Sequence, residues 1–212
     1  LYNQYQRIIV DQTQAYFQMP VKNVDTLFSC RKYFGVPDGG LVYTDSIWEQ
    51  ELPRDESFQR MNYLMGRYER TASEFYNEYI MNEKKFDHEP LKSMSKLTFN
   101  LLHSIDYDEI KKKRVQNFTY LHHRLKGINN LQLIIPEGPF MYPLYMGKGQ
   151  ELRKKLLKEK IYVPVLWPNV LKQCKEEEWE YDLACNILPL PVDQRYSYSE
   201  MDMIATQIEQ NL

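Results

Sequence analysis

The chain has 212 residues, of which 43% are hydrophobic and 26% are charged, a composition typical of folded domains and unlike that of disordered chains. Its net charge of −2 provides no basic footprint for nucleic acid or for an anionic membrane, and no apolar run approaches the roughly 20 residues that cross a bilayer. Its three cysteines show no C-x-x-C spacing, which argues against a disulfide framework and a zinc site, so we expect a cytoplasmic protein without a metal.

The first 45 residues predict three strands. Residues 8–10, followed by Asp11, predict a buried parallel strand with a functional residue at its carboxyl end. Residues 26–30 and 41–44 predict two further strands. Because the chain begins with Leu1, directly ahead of a strand pattern, we expect that an upstream part of the protein is missing.

The middle of the chain predicts helices. From Glu56 to Lys84, apolar side chains recur at spacings of three and four, which predicts one long amphipathic helix or two consecutive ones. Residues 93–104 and 106–126 predict two more helices, the second with Gly127 as its C-cap. We therefore expect two domains, residues 1–105 and residues 106–212.

The remainder predicts a mixed α+β module. Its elements are strands over 131–135 and 141–146, a helix over 150–160, an extended segment over 162–167 and a final helix over 198–211 with Ser199 as its N-cap.

Three residue types that could carry chemistry lie together after the second predicted strand. Ser29, Arg31 and Lys32 supply a hydroxyl, a guanidinium and an amine, which together could hold a phosphate monoester and present a nucleophile. A cation beside Lys32 favours the neutral, nucleophilic amine. Taken alone, Lys32 is also compatible with a solvated surface lysine, and Asp11 with a turn former.

These residues resemble the motifs of PLP-dependent fold-type I sugar aminotransferases, the DegT/DnrJ/EryC1 family. The strand-ending Asp-x-x-Gln-Ala element of that family is matched by residues 11–15. Its cofactor lysine, followed by an acidic residue, two glycines and an apolar strand, is matched by Lys32, Asp38-Gly39-Gly40 and residues 41–45. The tail is similar at residues 142–146, 160–162 and 188–192, so the resemblance covers nearly the whole chain.

The resemblance implies an α/β fold in which residues 1–105 form the C-terminal part of the cofactor-binding large domain, and residues 106–212 an α+β small domain. It implies pyridoxal 5′-phosphate as the cofactor, bound covalently by Lys32, with Asp11 keeping the ring nitrogen protonated. Gln14 is then expected near the ring or its hydroxyl, and Ser29 and Arg31 are candidate phosphate contacts.

The sequence departs from the family pattern in three places. Ser29 lies three residues ahead of Lys32, where family members carry a Ser-Phe-His-type element further upstream, and Asp38 replaces the usual glutamate. The N-terminal half that supplies a phosphate-binding turn and a stacking aromatic has no counterpart ahead of Ile8.

The implied activity is transfer of an amino group from an amino-acid donor to a ketosugar, expected to be nucleotide-linked, by a homodimeric enzyme. The alternative is a truncated, catalytically inactive remnant with a structural or dimerisation role. Sugar dehydration or epimerisation is disfavoured because dehydrating relatives carry histidine at the position of Lys32.

Other features have structural interpretations. His122 and His123 are adjacent on a predicted helix and point in different directions, so we do not expect a metal pair. Residues 111–114 predict a solvated basic face and Trp167 a packing residue. Arg195 is compatible with a substrate anion contact or a surface ion pair.

Overall fold

The computed structural model describes residues 4, 5 and 7–212 and divides the chain into two units, Leu1–Asp106 and Tyr107–Leu212. Leu1, on which the expectation of a missing upstream part rests, lies outside the described residues. Each unit combines helices with a small sheet, so the predicted mixed α/β character is confirmed.

The first unit contains a three-stranded sheet in the order β1 (Ile9–Asp11), β2 (Asp25–Ser29) and β3 (Gly40–Tyr43). Strand β1 is parallel to β2, and β2 is antiparallel to β3. The three strands therefore follow the prediction closely, and the parallel pairing brings the carboxyl ends of β1 and β2 to the same edge of the sheet.

One face of this sheet is buried and the other is open. Thr26 and Phe28 on the first face are almost completely buried, and Phe28 contacts an aromatic cluster through Tyr16, with ring centroids 6.3 Å apart. Ile9 and Val42 project from the other face and are 65% and 62% exposed. The expectation that β1 is buried is therefore wrong, because Ile9 and Asp11 are exposed on this face and Val10 on the other face is only partly buried.

The helical part of the first unit comprises a 3-10 turn (Phe58–Arg60), α1 (Asn62–Glu69), α2 (Tyr76–Lys85) and α3 (Lys96–His103). The periodic stretch thus forms two main helices, one of the two predicted alternatives. The chain turns back between them so that the ring of Phe75 lies against Gly66, where an added Cβ would come within 2.2 Å of the ring.

The second unit is built on a two-stranded antiparallel sheet, with Tyr142 of one strand opposite Leu190 of the other. Its elements are α4 (Tyr107–Leu125), β4 (Met141–Tyr145), α5 (Gly149–Lys158), α6 (Val170–Gln173), α7 (Trp179–Asn186), β5 (Ile187–Pro191) and α8 (Tyr198–Gln210). Helices α4, α5 and α8 and both strands contribute buried apolar side chains to one core.

Several local predictions for the second unit are wrong. Residues 131–135 do not form a strand, since Ile134 is 88% exposed and no strand pairs with the segment. Gly127 does not take a left-handed conformation, and the end of α4 is closed by Ile128 and Asn129, which both donate to the carbonyl of Leu125. The N-cap of α8 is Ser197, two residues ahead of the predicted Ser199.

The predicted basic face at residues 111–114 is solvated only in part. Arg114 is 1% exposed. Its guanidinium donates to the Pro139 carbonyl at 3.0 Å and to the side chain of Gln194 at 2.8 Å. Arg114 therefore links the segment ahead of β4 to the segment after β5. These polar partners are what allow a charged side chain to be buried.

Candidate functional site

The candidate lysine lies in a hydrogen-bonded loop between β2 and β3, residues 30–39, which we call the Lys32 loop. The Cys30 amide donates to the Gly39 carbonyl at 3.2 Å and closes the loop where the two strands meet. Within the loop, the Phe34 amide donates to the Cys30 carbonyl at 2.9 Å. Residues 30–34 therefore form one helical turn, in which Cys30 is buried and Lys32 is exposed.

Lys32 and Asp11 are joined through Thr13. The Lys32 Nζ donates to Thr13 Oγ1 at 3.2 Å, and the Thr13 amide donates to Asp11 Oδ1 at 2.9 Å. Hydrogen bonds from the backbone and side chain of Thr13, with a smaller contribution from the charge of Lys32, hold the pKa of Asp11 below its ordinary value. The amine of Lys32 and the carboxylate of Asp11 are thus linked through Thr13 at one edge of the sheet.

Thr13 is absent from the sequence-based set of site residues. It occupies a variable position of the Asp-x-x-Gln-Ala element at residues 11–15, so the motif itself gave no reason to select it. The available signal was its place between Asp11 and Gln14, because an Asp followed two residues later by a backbone donor is typical of an Asx turn.

Asp11 and Lys32 are both exposed, whereas a buried aspartate was expected. The reason is the open face of the sheet, since Asp11 lies directly opposite Leu27 in the same row as exposed Val42. Ser29 shares that face by the alternation of side chains along β2. The open face therefore carries both Asp11 and Ser29.

Gln14 is joined to the Lys32 loop through its backbone. The Tyr33 hydroxyl donates to the Gln14 carbonyl at 2.7 Å. This bond ties the segment that carries Asp11 to the loop that carries Lys32, and the ring of Tyr33 is buried in the aromatic cluster beside Tyr16.

Arg31 faces helix α2 and does not group with the amine of Lys32. Its guanidinium forms an ion pair with Glu83 and stacks over the ring of Phe86, 4.3 Å from the centroid. Burial lowers the pKa of Arg31. Of the five predicted site residues, the structure therefore brings Asp11, Gln14 and Lys32 together, places Ser29 on the same sheet face, and turns Arg31 toward α2.

The remaining candidate residues take structural positions. Arg195 pairs with Asp193 at 2.8 Å, the second of the two interpretations open for it. Trp167 is half-exposed and has a left-handed backbone with φ of 52°, so it is not the packing residue that we expected. The ring of His122 stacks on Phe118, and no group of three potential metal ligands occurs within residues 4, 5 and 7–212.

None of the helices in the described part of the chain is both long enough and apolar enough to pass through a lipid bilayer.

Comparison with known structures places this arrangement in one fold. The chain is similar to a DegT DnrJ EryC1 StrS aminotransferase from Brucella abortus at 14% identity and a TM-score of 0.56, covering 96% of this chain and 57% of that one. It is similar to DesV of S. venezuelae, solved in complex with a ketimine intermediate, at 16% identity and a TM-score of 0.56, with coverage of 96% and 57%. The sugar aminotransferase CalS13 from Micromonospora echinospora matches at 12% identity and a TM-score of 0.58, with coverage of 100% and 60%.

The resemblance predicted from the lysine motif is thus confirmed at the level of the fold, which this chain shares with sugar aminotransferases. The chain spans 57–60% of the length of these neighbours. At the level of sequence, neither a protein-family model nor a curated protein matches it.

Proposed function

We propose that this chain is part of a PLP-dependent aminotransferase that moves an amino group from an amino acid to a ketosugar, expected to be nucleotide-linked, and that Lys32 binds the cofactor. The observation that supports the proposal is the pairing of Lys32 and Asp11 through Thr13, with contacts of 3.2 and 2.9 Å at the strand ends. Ligand sites of α/β enzymes occupy this edge of a sheet.

The residues present suit the ring nitrogen and the aldehyde of PLP. A carboxylate with a lowered pKa, that of Asp11, can keep a pyridine nitrogen protonated, and the amine of Lys32 can bind an aldehyde carbon. For the phosphate, the hydroxyl of Ser29 remains a candidate, while Arg31 is engaged by Glu83. PLP, when bound, supplies an electron sink for the carbanion that forms at the substrate carbon.

The chain's own side chains then have distinct tasks. The Lys32 amine accepts the proton from the substrate carbon as a general base and returns it as a general acid. Asp11 holds a proton on the ring nitrogen throughout. Thr13 accepts a hydrogen bond from Lys32, and the Gln14 carbonyl accepts one from Tyr33 of the Lys32 loop. Both bonds hold the segment of Asp11 beside the loop of Lys32.

A second candidate is an inactive aminotransferase remnant with a structural or dimerisation role. One observation favours it: Ile9 and Val42 are exposed apolar side chains on the open sheet face. In this case the open face would bury apolar surface in a homodimer, and Lys32 would be an ordinary surface lysine.

The visible spectrum of the purified chain with PLP distinguishes the two candidates. We expect a PLP absorbance band that borohydride abolishes, with the reduced adduct located on Lys32 by peptide mass spectrometry. Lys32→Ala should lose this adduct, whereas Lys22→Ala, which removes another exposed lysine, should retain it.

An adduct spread evenly over several lysines, or one that persists in Lys32→Ala, would contradict the assignment of Lys32. Absence of any adduct, together with a dimer in sedimentation equilibrium, would favour the inactive remnant.

A further inference from the structure

The Lys32 loop ends in a buried carboxylate. Asp38 is 3% exposed, and it receives hydrogen bonds from helix α3 and its N-cap. The Ser95 amide donates to Oδ2 at 2.8 Å and the Ser95 hydroxyl to Oδ1 at 2.8 Å, while the Thr98 hydroxyl donates to Oδ1. A buried carboxylate needs such a shell, because each lost donor leaves part of the charge uncompensated.

Asp38 is ionised in this setting. Burial alone would raise its pKa, but hydrogen bonds from the Ser95 amide and from the hydroxyls of Thr98, Ser95 and Ser57 outweigh burial and hold the pKa below its ordinary value. The first turn of α3 adds its dipole, which favours a negative charge at this end. Ser57 also contacts the Ser95 hydroxyl at 2.7 Å, so the shell draws on two separate segments of the chain.

Gly39, the neighbour of Asp38, connects the end of the loop to its start. The Gly39 carbonyl accepts from the Cys30 amide at 3.2 Å, two residues ahead of Lys32. Gly39 has φ of +104°, and a Cβ there would lie 3.0 Å from Met94 and from Thr98. This backbone conformation and this close approach both require glycine at position 39.

The beginning of the loop is held as well. Arg31 pairs with Glu83 and stacks on Phe86 of the segment after α2. Arg31 and Asp38 thus anchor the loop on both sides of Lys32, whose side chain donates to Thr13.

We propose that Asp38 is a positioning residue for Lys32: by binding the hydroxyls of Ser95 and Thr98, it fixes the Lys32 loop against α3 and so sets where the lysine amine lies. The inference rests on the proposed function for the role of Lys32. Its structural content, the placement of the amine, can be tested without cofactor.

The test is competitive acetylation of the cofactor-free chain with a trace amount of an N-hydroxysuccinimide ester, followed by mass spectrometry. The rate at Lys32 is divided by the rate at exposed Lys22 in the same sample, which cancels effects common to both lysines. The variants are Asp38→Asn, which keeps the shape and removes the charge, and Ser57→Ala, a milder change that removes one donor.

In Asp38→Asn, the ratio should rise by about fivefold, the factor that corresponds to losing about 1 kcal/mol of hydrogen bonding that holds the loop. Ser57→Ala should give a smaller rise in the same direction. Leu102→Ala, which removes a buried side chain from the same helix without touching Asp38, should lower the melting temperature and leave the ratio unchanged.

An unchanged ratio in Asp38→Asn, or an equal rise in Leu102→Ala, would overturn the proposal and leave Asp38 with a purely structural role. If the ratio rises as expected but PLP forms no adduct at Lys32, the positioning of the amine stands and the proposed function fails.

Discussion

Thr13 is the residue on which the candidate site depends most directly. Its amide holds the carboxylate of Asp11, and its hydroxyl holds the amine of Lys32. One short side chain thus connects two groups that the sequence places on different segments. Without its hydroxyl, the distance between the amine and the carboxylate would be set by the backbone alone.

We expect Thr13→Val, which keeps the shape and removes the hydroxyl, to weaken PLP binding by about three- to tenfold, as the loss of one hydrogen bond of ordinary strength implies. Thr13→Ser should bind as the unmodified chain does, because it keeps the hydroxyl. The dissociation constant from an absorbance titration checks both. Equal affinity of the valine and serine variants would show that the hydroxyl is not used.

For single residues, the sequence predicts which ones belong to the site better than it predicts which residues they contact. Lys32 and Asp11 could be selected because a recurring motif surrounds them. The ion pair of Arg31 with Glu83 could not be anticipated, because it depends on how α2 packs and no local pattern encodes that. The hydrogen bond from Lys32 to Thr13 is what separates a site lysine from an ordinary surface lysine. The sequence could not reveal it, because the motif leaves the position of Thr13 variable.

Helix α8 illustrates how strongly a single cap can define an element. The Ser197 side chain accepts from the Ser199 amide, and the Glu200 carboxylate accepts from the Ser197 amide at 2.8 Å, completing a capping box. Hydrogen bonds from the Ser197 hydroxyl and amide lower the pKa of Glu200 from 4.5 to about 2. The start of the helix is therefore coupled to the ionisation of one carboxyl.

Since the folded-state pKa of Glu200 is depressed, its contribution to stability is present above the ordinary value of 4.5 and is lost as the pH falls toward about 2. We expect Glu200→Gln to lose stability at neutral pH and to show a shallower decline over this acid range than the unmodified chain. Urea denaturation monitored by circular dichroism at a series of pH values checks this. A decline of equal steepness in both proteins would contradict it.

Ser197→Ala should cost about 1 kcal/mol of unfolding free energy at neutral pH, the usual value for an N-cap. Ser199→Ala is the matched control, and it should cost clearly less, because Ser199 lies inside the helix. A larger loss of unfolding free energy in Ser199→Ala than in Ser197→Ala would show that Ser199 is the N-cap, as the sequence predicted.

Elements with a strong internal signal were predictable, and those that depend on a partner were not. The 3.6-residue periodicity located α4 and α8 within a residue or two. Strand β5 was missed because its prolines, Pro189 and Pro191, argue against a strand unless it has a free edge. Residues 131–135 have strand composition but find no neighbour in the described chain.

The whole molecule distributes its apolar core unevenly. A cluster of sixteen buried side chains, from Phe118 to Ile208, lies entirely within Tyr107–Leu212. Fewer apolar side chains are buried in the first unit, and they include Phe28, Phe34 and Leu102. The cluster of sixteen is therefore made up only of side chains from the second unit.

We expect residues 107–212, expressed alone, to fold and to unfold cooperatively on heating. Leu144→Ala in this fragment, at a fully buried position of β4, should lower its stability by about 2–5 kcal/mol through the cavity that it creates. Circular dichroism melting curves and urea midpoints measure both. A fragment that lacks a cooperative transition would show that its core depends on the rest of the chain.

The fold as a whole was predictable through resemblance to a family, and its open sheet face was not. The resemblance of Lys32, Asp38-Gly39-Gly40 and the tail to the motifs of one family predicted the fold that the chain adopts. Composition alone cannot reveal that Ile9 remains uncovered, because an apolar strand has the same residues whether or not another element packs on it.

Because the Lys32 loop is closed by hydrogen bonds, its number of residues is more constrained than the residue types at its tip. Gly35 has open space around the position of a Cβ, so the tip can accept other residues. An insertion or deletion between Cys30 and Asp38 would break either the Cys30–Gly39 hydrogen bond or the Asp38 contacts with Ser95 and Thr98. In related sequences, the tip of this loop near Gly35 should therefore vary in residue type while the loop conserves its residue count.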